Sequence, residues 1–106
     1  MPEYFAEGQE SYFFPFIASD ESYLIFSKST DDDQGNLFIT FQKSNGLWSK
    51  EIPLGEMINS TGIEICPIIS PDGKYLFFIR NGKLMWVSAQ FIEELRSNKH
   101  EQNNKY

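Results

Sequence analysis

Residues 67–78 read PIISPDGKYLFF: a proline, a short apolar run, a Ser-Pro-Asp-Gly turn and a second apolar run. Each part has a mechanical reason. Pro71 presets φ at the second turn position, Asp72 bonds backbone further along the chain, and Gly73 tolerates a positive φ. Ring and β-branched side chains on both sides pack well on a pleated surface. The stretch predicts two antiparallel strands, Glu64 to Ile69 and Lys74 to Ile79, joined by a tight turn over Ser70, Pro71, Asp72 and Gly73.

A worn copy, PFIASDESYLIF, occupies residues 15–26. At an offset of 52, Pro15, Ile17, Asp20, Tyr23, Leu24 and Phe26 fall on Pro67, Ile69, Asp72, Tyr75, Leu76 and Phe78, six identities in twelve positions. A period of about 50 residues is in the range of propeller blades and solenoids, so the repeat governs every local reading. In the first copy Ser19-Asp20-Glu21-Ser22 is expected to make the same turn with weaker chemistry, lacking both the proline and the glycine.

A third strand follows each hairpin: Asn36 to Gln42 (NLFITFQ) and Lys83 to Ser88 (KLMWVS). The loop Arg80-Asn81-Gly82 carries the Asn-Gly pair of two-residue hairpins, whereas Ser29 to Gly35 is long and acidic. The first copy adds a turn at Lys43 to Gly46 and a fourth strand, Leu47 to Pro53, before a crossing segment, LGEMINSTGIE. The second stops short. In SAQFIEELRSNK, Phe91, Ile92 and Leu95 recur at helical spacing, which predicts an amphipathic helix over 89–97 with Ser88 as its N-cap. The polar residues 98–106 are expected to fray. The reading is all-β: antiparallel four-stranded blade repeats, about two blades (12–53 and 63–88), with a short C-terminal helix, in one domain spanning 1–106.

Composition agrees with one packed core, since the 106 residues are 41% hydrophobic and 16% aromatic. The net charge of −6 and pI near 4.6 argue against nucleic-acid or anionic-membrane partners, both of which reward clustered Lys and Arg. Cys66, the one cysteine, excludes an intramolecular disulfide and, inside an apolar run, reads as a small buried hydrophobe. The first residues, MPEYFAEGQE, have neither a basic n-region nor an apolar h-region, and no run is long enough to cross a bilayer. As written, the chain is expected to be soluble and cytoplasmic.

PIISPDGKYLFF resembles the PD40, or WD40-like, repeat of TolB-type β-propellers. Leu47-Trp48-Ser49 leading to Leu54-Gly55, and Trp86-Val87 running into Phe91 to Leu95, resemble the closing portion of such proteins. The resemblance spans about residues 12–96. It implies the C-terminal two blades of a propeller, a fold with about six blades in this family. It further implies protein, peptide or cell-envelope glycan partners, in a family often exported or periplasmic. Two blades alone leave apolar faces and strand edges uncovered. Self-association is therefore expected, three chains of two blades being the simplest closed ring; a longer parent chain and a face-to-face sandwich are the alternatives.

Chemistry is sparse. His100 is the sole histidine and lies in the polar tail, and there is no G-x-S-x-G and no phosphate-cradling glycine loop. Glu10, Glu21, Glu51, Glu56 and Glu64 are scattered, with no pair implied at glycosidase separation. In STDDDQGN, residues 29–36, Asp31 and Asp33 alternate as in part of a calcium loop. The distal bidentate Glu is missing, so a solvated loop is expected, with Asp31 and Asp33 the ligands if calcium binds. Phe13, Phe14, Phe16, Phe26, Phe38, Phe41, Phe77 and Phe78 read as core, and Trp48 and Trp86 as packing between blades. In a propeller, Ser11 and Glu64, flanking the first strand of each copy, would face the central channel and a ligand, alongside the loops 29–36 and 58–62. The expected function is a non-catalytic binding or assembly module with no cofactor. The alternative is the terminal piece of a propeller hydrolase whose catalytic residues lie elsewhere.

Overall fold

The computed structural model describes residues 11–29, 35–56, 58–59 and 62–104. These form seven strands and a helix: β1 (Ser11–Ile17), β2 (Tyr23–Ser29), β3 (Asn36–Phe41), β4 (Ile52–Pro53), β5 (Glu64–Ile69), β6 (Tyr75–Arg80), β7 (Lys83–Ser88) and α1 (Phe91–Asn104). Two antiparallel sheets result, a first with the order β1-β2-β3-β4 and a second with the order β5-β6-β7. The all-β, antiparallel expectation holds.

The offset of 52 survives in atomic detail. Ala18 N donates to Tyr23 O at 3.0 Å and Ser70 N to Tyr75 O at 2.9 Å, while Glu21 N and Gly73 N close the turns onto Ala18 O and Ser70 O, both at 2.8 Å. Asp20 Oδ1 accepts from Ser22 N and Asp72 Oδ1 from Lys74 N, each at 3.0 Å. The worn turn therefore has the geometry of the intact one, framed on Ala18 to Glu21, one residue earlier than the sequence suggested. Glu21 occupies the left-handed position, φ 63°, that Gly73 takes at φ 76°.

The repeated proline also has a structural meaning. Both first strands are bulged, between Phe13 and Phe16 and between Ile65 and Ile68. The residue before each proline takes a positive φ, 52° at Phe14 and 59° at Cys66. A bulge on an edge strand is a place where a residue without an N–H is tolerated. Phe14 is thereby turned out to 47% exposure rather than into the core, and Cys66 is a half-buried bulge residue rather than a buried hydrophobe.

Two further expectations change. The fourth strand of the first copy keeps only Ile52–Pro53, plus an isolated bridge from Gln42 to Trp48. Between them Ser49 keeps one backbone bond to β3, its N–H donating to Phe41 O at 2.8 Å, and adds its own: its Oγ accepts from Phe41 N at 3.0 Å, and its carbonyl accepts from Thr40 Oγ1 at 2.6 Å. The helix begins later and runs further than 89–97, through Asn104. Ser88 does not cap it. Its Oγ accepts from Gln90 N at 3.3 Å and tightens a turn, so that the cap position falls on Gln90, whose carbonyl accepts from Glu93 N at 3.1 Å. Asn81 and Gly82 have φ 49° and 83°, the paired positive values that an Asn-Gly hairpin requires.

Register assigns every strand residue to a face, because side chains alternate and paired residues share a side. In the first sheet one face carries Phe16, Tyr23, Ile25, Ser27, Leu37, Ile39, Phe41 and Ile52; the other carries Tyr12, Ile17, Leu24, Phe26, Lys28, Phe38 and Thr40. In the second sheet the equivalents are Ile65, Ile68, Tyr75, Phe77, Ile79, Leu84 and Trp86 on one face, and Glu64, Ile69, Leu76, Phe78, Arg80, Met85 and Val87 on the other. The core joins unlike faces: Ile25, Leu37, Ile39 and Phe41 pack with Ile69, Leu76 and Phe78, closed by Leu54, Ile58, Ala89 and Ile92. The Ile25 face of the first sheet thus meets the Phe78 face of the second. The matching Phe77 face is turned outward.

Candidate functional site

Three features merit a chemical reading: the buried end of β5, the groove between the two aspartate turns, and the outward Phe77 face.

Glu64 opens β5 and is fully buried, so it faces no channel or solvent. Arg80, its cross-strand partner, donates from Nε to Glu64 Oε2 at 3.1 Å and from Nη2 to the carbonyl of Ile58 at 2.6 Å. The Glu64 backbone carbonyl accepts from Ser27 Oγ at 3.1 Å, across the gap between the sheets. The residue is therefore a clamp between sheets and crossing segment. A carboxylate in water-free surroundings needs such a partner, because an unpaired buried charge is costly. At the position equivalent to Glu64 the first copy has Tyr12, and Lys28 stands for Arg80. Lys28 pairs with Glu51 and lies 4.3 Å from the Phe38 ring centroid.

The other proposed ligand residues do not converge on Glu64. Ser11 pairs with Ser29 at the start of β1. Asp31 and Asp33 lie outside the described residues, and among the described ones no cluster of His, Cys, Asp and Glu has metal-binding geometry. In the crossing segment Ile58 is buried rather than presented on a rim, while Asn59 pairs with the Leu37 backbone, accepting from its N–H at 2.7 Å and donating to its carbonyl at 2.9 Å.

The groove, about 590 Å³, runs between the turns that hold Asp20 and Gly73 and the start of α1. Its charges are Asp20, Lys74, Glu93 and Arg96, with the rings of Tyr23 and Tyr75 below. The Ser22 hydroxyl, then the Ser22 N–H, hold the Asp20 carboxyl below its ordinary value; the Ser70 hydroxyl at 2.6 Å, then Lys74 N–H, do the same for Asp72. Both are carboxylates at neutral pH, committed as acceptors to their own turns and unsuited to donate a proton. Burial pushes the Tyr23 phenol up, so it stays neutral. Arg96 lies 5.1 Å from the Phe41 ring centroid and ties the helix to the first sheet. Arg96 is paired with Glu93 at 3.5 Å within one wall of the groove.

The Phe77 face is the feature that local motif reading underrates. It is apolar along two cross-strand rows, Ile65, Ile79 and Leu84, and Ile68, Phe77 and Trp86; a third row pairs Tyr75, its ring edge-on to Trp86 at 5.4 Å, with Ser88. Trp86, expected between blades, is 62% exposed. The signal that finds this face is the repeat register, and it becomes readable only once the occupied face of the first copy is known. No family model, curated protein or solved structure matches the chain.

Proposed function

We propose that the chain is a non-catalytic binding or assembly module of β-propeller type, built of stacked sheet units and completed by self-association or by further units of a longer chain. The observation that carries the reading is the unlike-face contact. Two copies of one unit packed by a two-fold sandwich would bury like faces together; here the Ile25 face of one unit is covered by the Phe78 face of the next, an arrangement that repeats without limit until it closes. The PD40 resemblance of residues 67–78 points the same way. Partners are then proteins, peptides or glycans.

Light scattering over a range of concentrations tests it. A mass that is a multiple of 12.3 kDa, near 37 kDa for a ring of three chains, is expected. A mass of 12.3 kDa at every concentration refutes completion by self-association.

A further inference from the structure

We infer that the free edge of β7, with the apolar pocket beside it, is the docking site for an extended peptide segment of a partner protein, added as a fourth strand to the second sheet. The segment is apolar at alternate positions and neutral or basic. The inference rests on the binding-module reading above and names the partner's chemistry.

Three of the four sheet edges are blunted. β1 holds Pro15, β4 holds Pro53 and β5 holds Pro67, and β1 and β5 are bulged as well. Prolines and bulges on an edge hinder the addition of another strand. β7, KLMWVS, has neither, and it pairs with β6 from Lys83 to Ser88 without a register shift. An edge kept regular where its counterparts are blocked is the one fit to receive a strand.

Its free backbone groups follow from the hairpin. The two-residue Asn81-Gly82 turn makes Arg80 and Lys83 a bonded pair, and bonding alternates along an antiparallel ladder. Lys83, Met85 and Val87 therefore bond to β6, while Leu84 and Trp86 point N–H and C=O outward. In the first unit the corresponding residues are Leu37 and Ile39, because they oppose Ser27 and Ile25 as Leu84 and Trp86 oppose Ile79 and Phe77. There the edge is occupied: Leu37 O accepts from Leu54 N at 3.1 Å and Ile39 pairs with Ile52. Among the described residues, none bonds to the outward backbone groups of Leu84 and Trp86. Donors and acceptors recurring every second residue match another extended backbone, so the occupant is a strand and not a compact ligand.

A strand laid on this edge turns alternate side chains to the Phe78 face, beside Met85 and Val87. An apolar pocket of about 330 Å³ lies there, walled by Leu54, Ile58, Val87 and Phe91. That volume is at the lower end of the roughly 300–1,000 Å³ of ligand clefts and takes a large aliphatic side chain. In the first unit Thr40 stands for Val87 and donates to the Ser49 carbonyl at 2.6 Å. The second unit has exchanged that polar closure for apolar space. Charge narrows the ligand further. Glu56 is exposed at the pocket, no Lys or Arg lines it, and the chain carries a net charge of −6, so an acidic segment is repelled.

Amide hydrogen exchange of the isotope-labelled full chain, with the peptide acetyl-KVTLTVK-amide as probe, tests the inference. In the docked register the two threonine N–H groups bond to β7, and the central leucine enters the pocket. Saturating peptide is expected to slow exchange of the Leu84 and Trp86 amides at least ~10-fold. Methylating both threonine amides, or replacing the central leucine by glutamate, should weaken binding at least ~10-fold, whereas methylating the leucine amide should not. On the protein side, Trp86→Pro removes one outward N–H and no bond to β6, a change edge strands tolerate, and should lose binding at least ~10-fold; Trp86→Thr, which keeps the N–H, should bind as wild type does, with circular dichroism reporting folding. No binding of the probe, or binding that spares the Leu84 and Trp86 amides or ignores threonine methylation, overturns the inference. Protection of those amides without peptide, rising with protein concentration, gives the edge to a second copy and overturns it too. A monomeric mass in light scattering refutes completion by self-association and leaves this outcome untouched, so the two failures are read separately.

Discussion

Glu21→Gly should stabilise the protein, and by an amount that the structure allows to be worked out. Glu21 holds φ 63° in a turn whose counterpart is closed by Gly73 at φ 76°. For an L-residue the left-handed conformation costs roughly 1–2 kcal/mol, because Cβ crowds the following carbonyl. Glycine removes that cost but has more unfolded-state freedom to lose, which takes back about 0.5–1 kcal/mol. The Glu21 side chain is exposed, so its removal forfeits no packing. The net gain is about 0.5–1 kcal/mol, which corresponds to roughly 3–6 °C in Tm for a domain of this size. The reciprocal change, Gly73→Glu, should lose about the same amount. Urea unfolding of both variants, at one protein concentration throughout, measures the effect as a shift of midpoint at constant slope. A midpoint for Glu21→Gly equal to or below that of the parent would refute the claim that the two turns share one backbone geometry.

The remaining predictions concern the core, the clamp and acid. Phe78→Ala, at a site 1% exposed, should cost about 3–5 kcal/mol and leave the chain marginal or unfolded, whereas Phe14→Ala at the exposed bulge should cost about 0.5 kcal/mol; equal midpoints would contradict the face assignment. Arg80→Met leaves the Glu64 carboxylate buried without its cation and should cost about 3–5 kcal/mol, while Arg80→Met combined with Glu64→Leu should recover most of the loss in thermal melts. Asp20 and Asp72 have folded-state values held below the ordinary one of 3.8, so the stability they contribute is present above that value and is lost as pH falls through the lower folded ones. The double variant Asp20→Asn, Asp72→Asn, which keeps the acceptor oxygens and removes the titration, should show a shallower loss of midpoint between about pH 5 and 3; an unchanged acid limb would exclude these turns as its source.

Much of this architecture is written locally, and the reason is visible residue by residue. Ser70 to Gly73 and Asn81-Gly82 fix their turns because φ preferences act within three or four residues, and the pattern in Tyr75 to Arg80 separates two faces because side chains alternate along a strand. The bulges are not legible in this way: Pro67 falls inside the strand expected over Glu64 to Ile69, although a proline in a strand is also a mark of a bulge. The broken fourth strand was hidden for a similar reason, since Ser49 competes for the Phe41 N–H that a ladder partner would otherwise take. Glu64, expected to face a channel, is buried instead. Its burial follows from Arg80, sixteen residues away, and from the carbonyl of Ile58, neither of which a one-dimensional reading sets beside it.

By itself, then, the sequence determined the two hairpins, their kinship at an offset of 52, the antiparallel class and the amphipathic helix, all consequences of short-range sterics and of hydrophobic periodicity. Only the tertiary structure decided which face of each sheet is covered. Both faces of both sheets are apolar enough to be core, so composition leaves the choice degenerate. It is made in the core, where Leu54 and Ile58 close over the Ile25 face of the first sheet and the Phe78 face of the second while Trp86 and Leu84 face out.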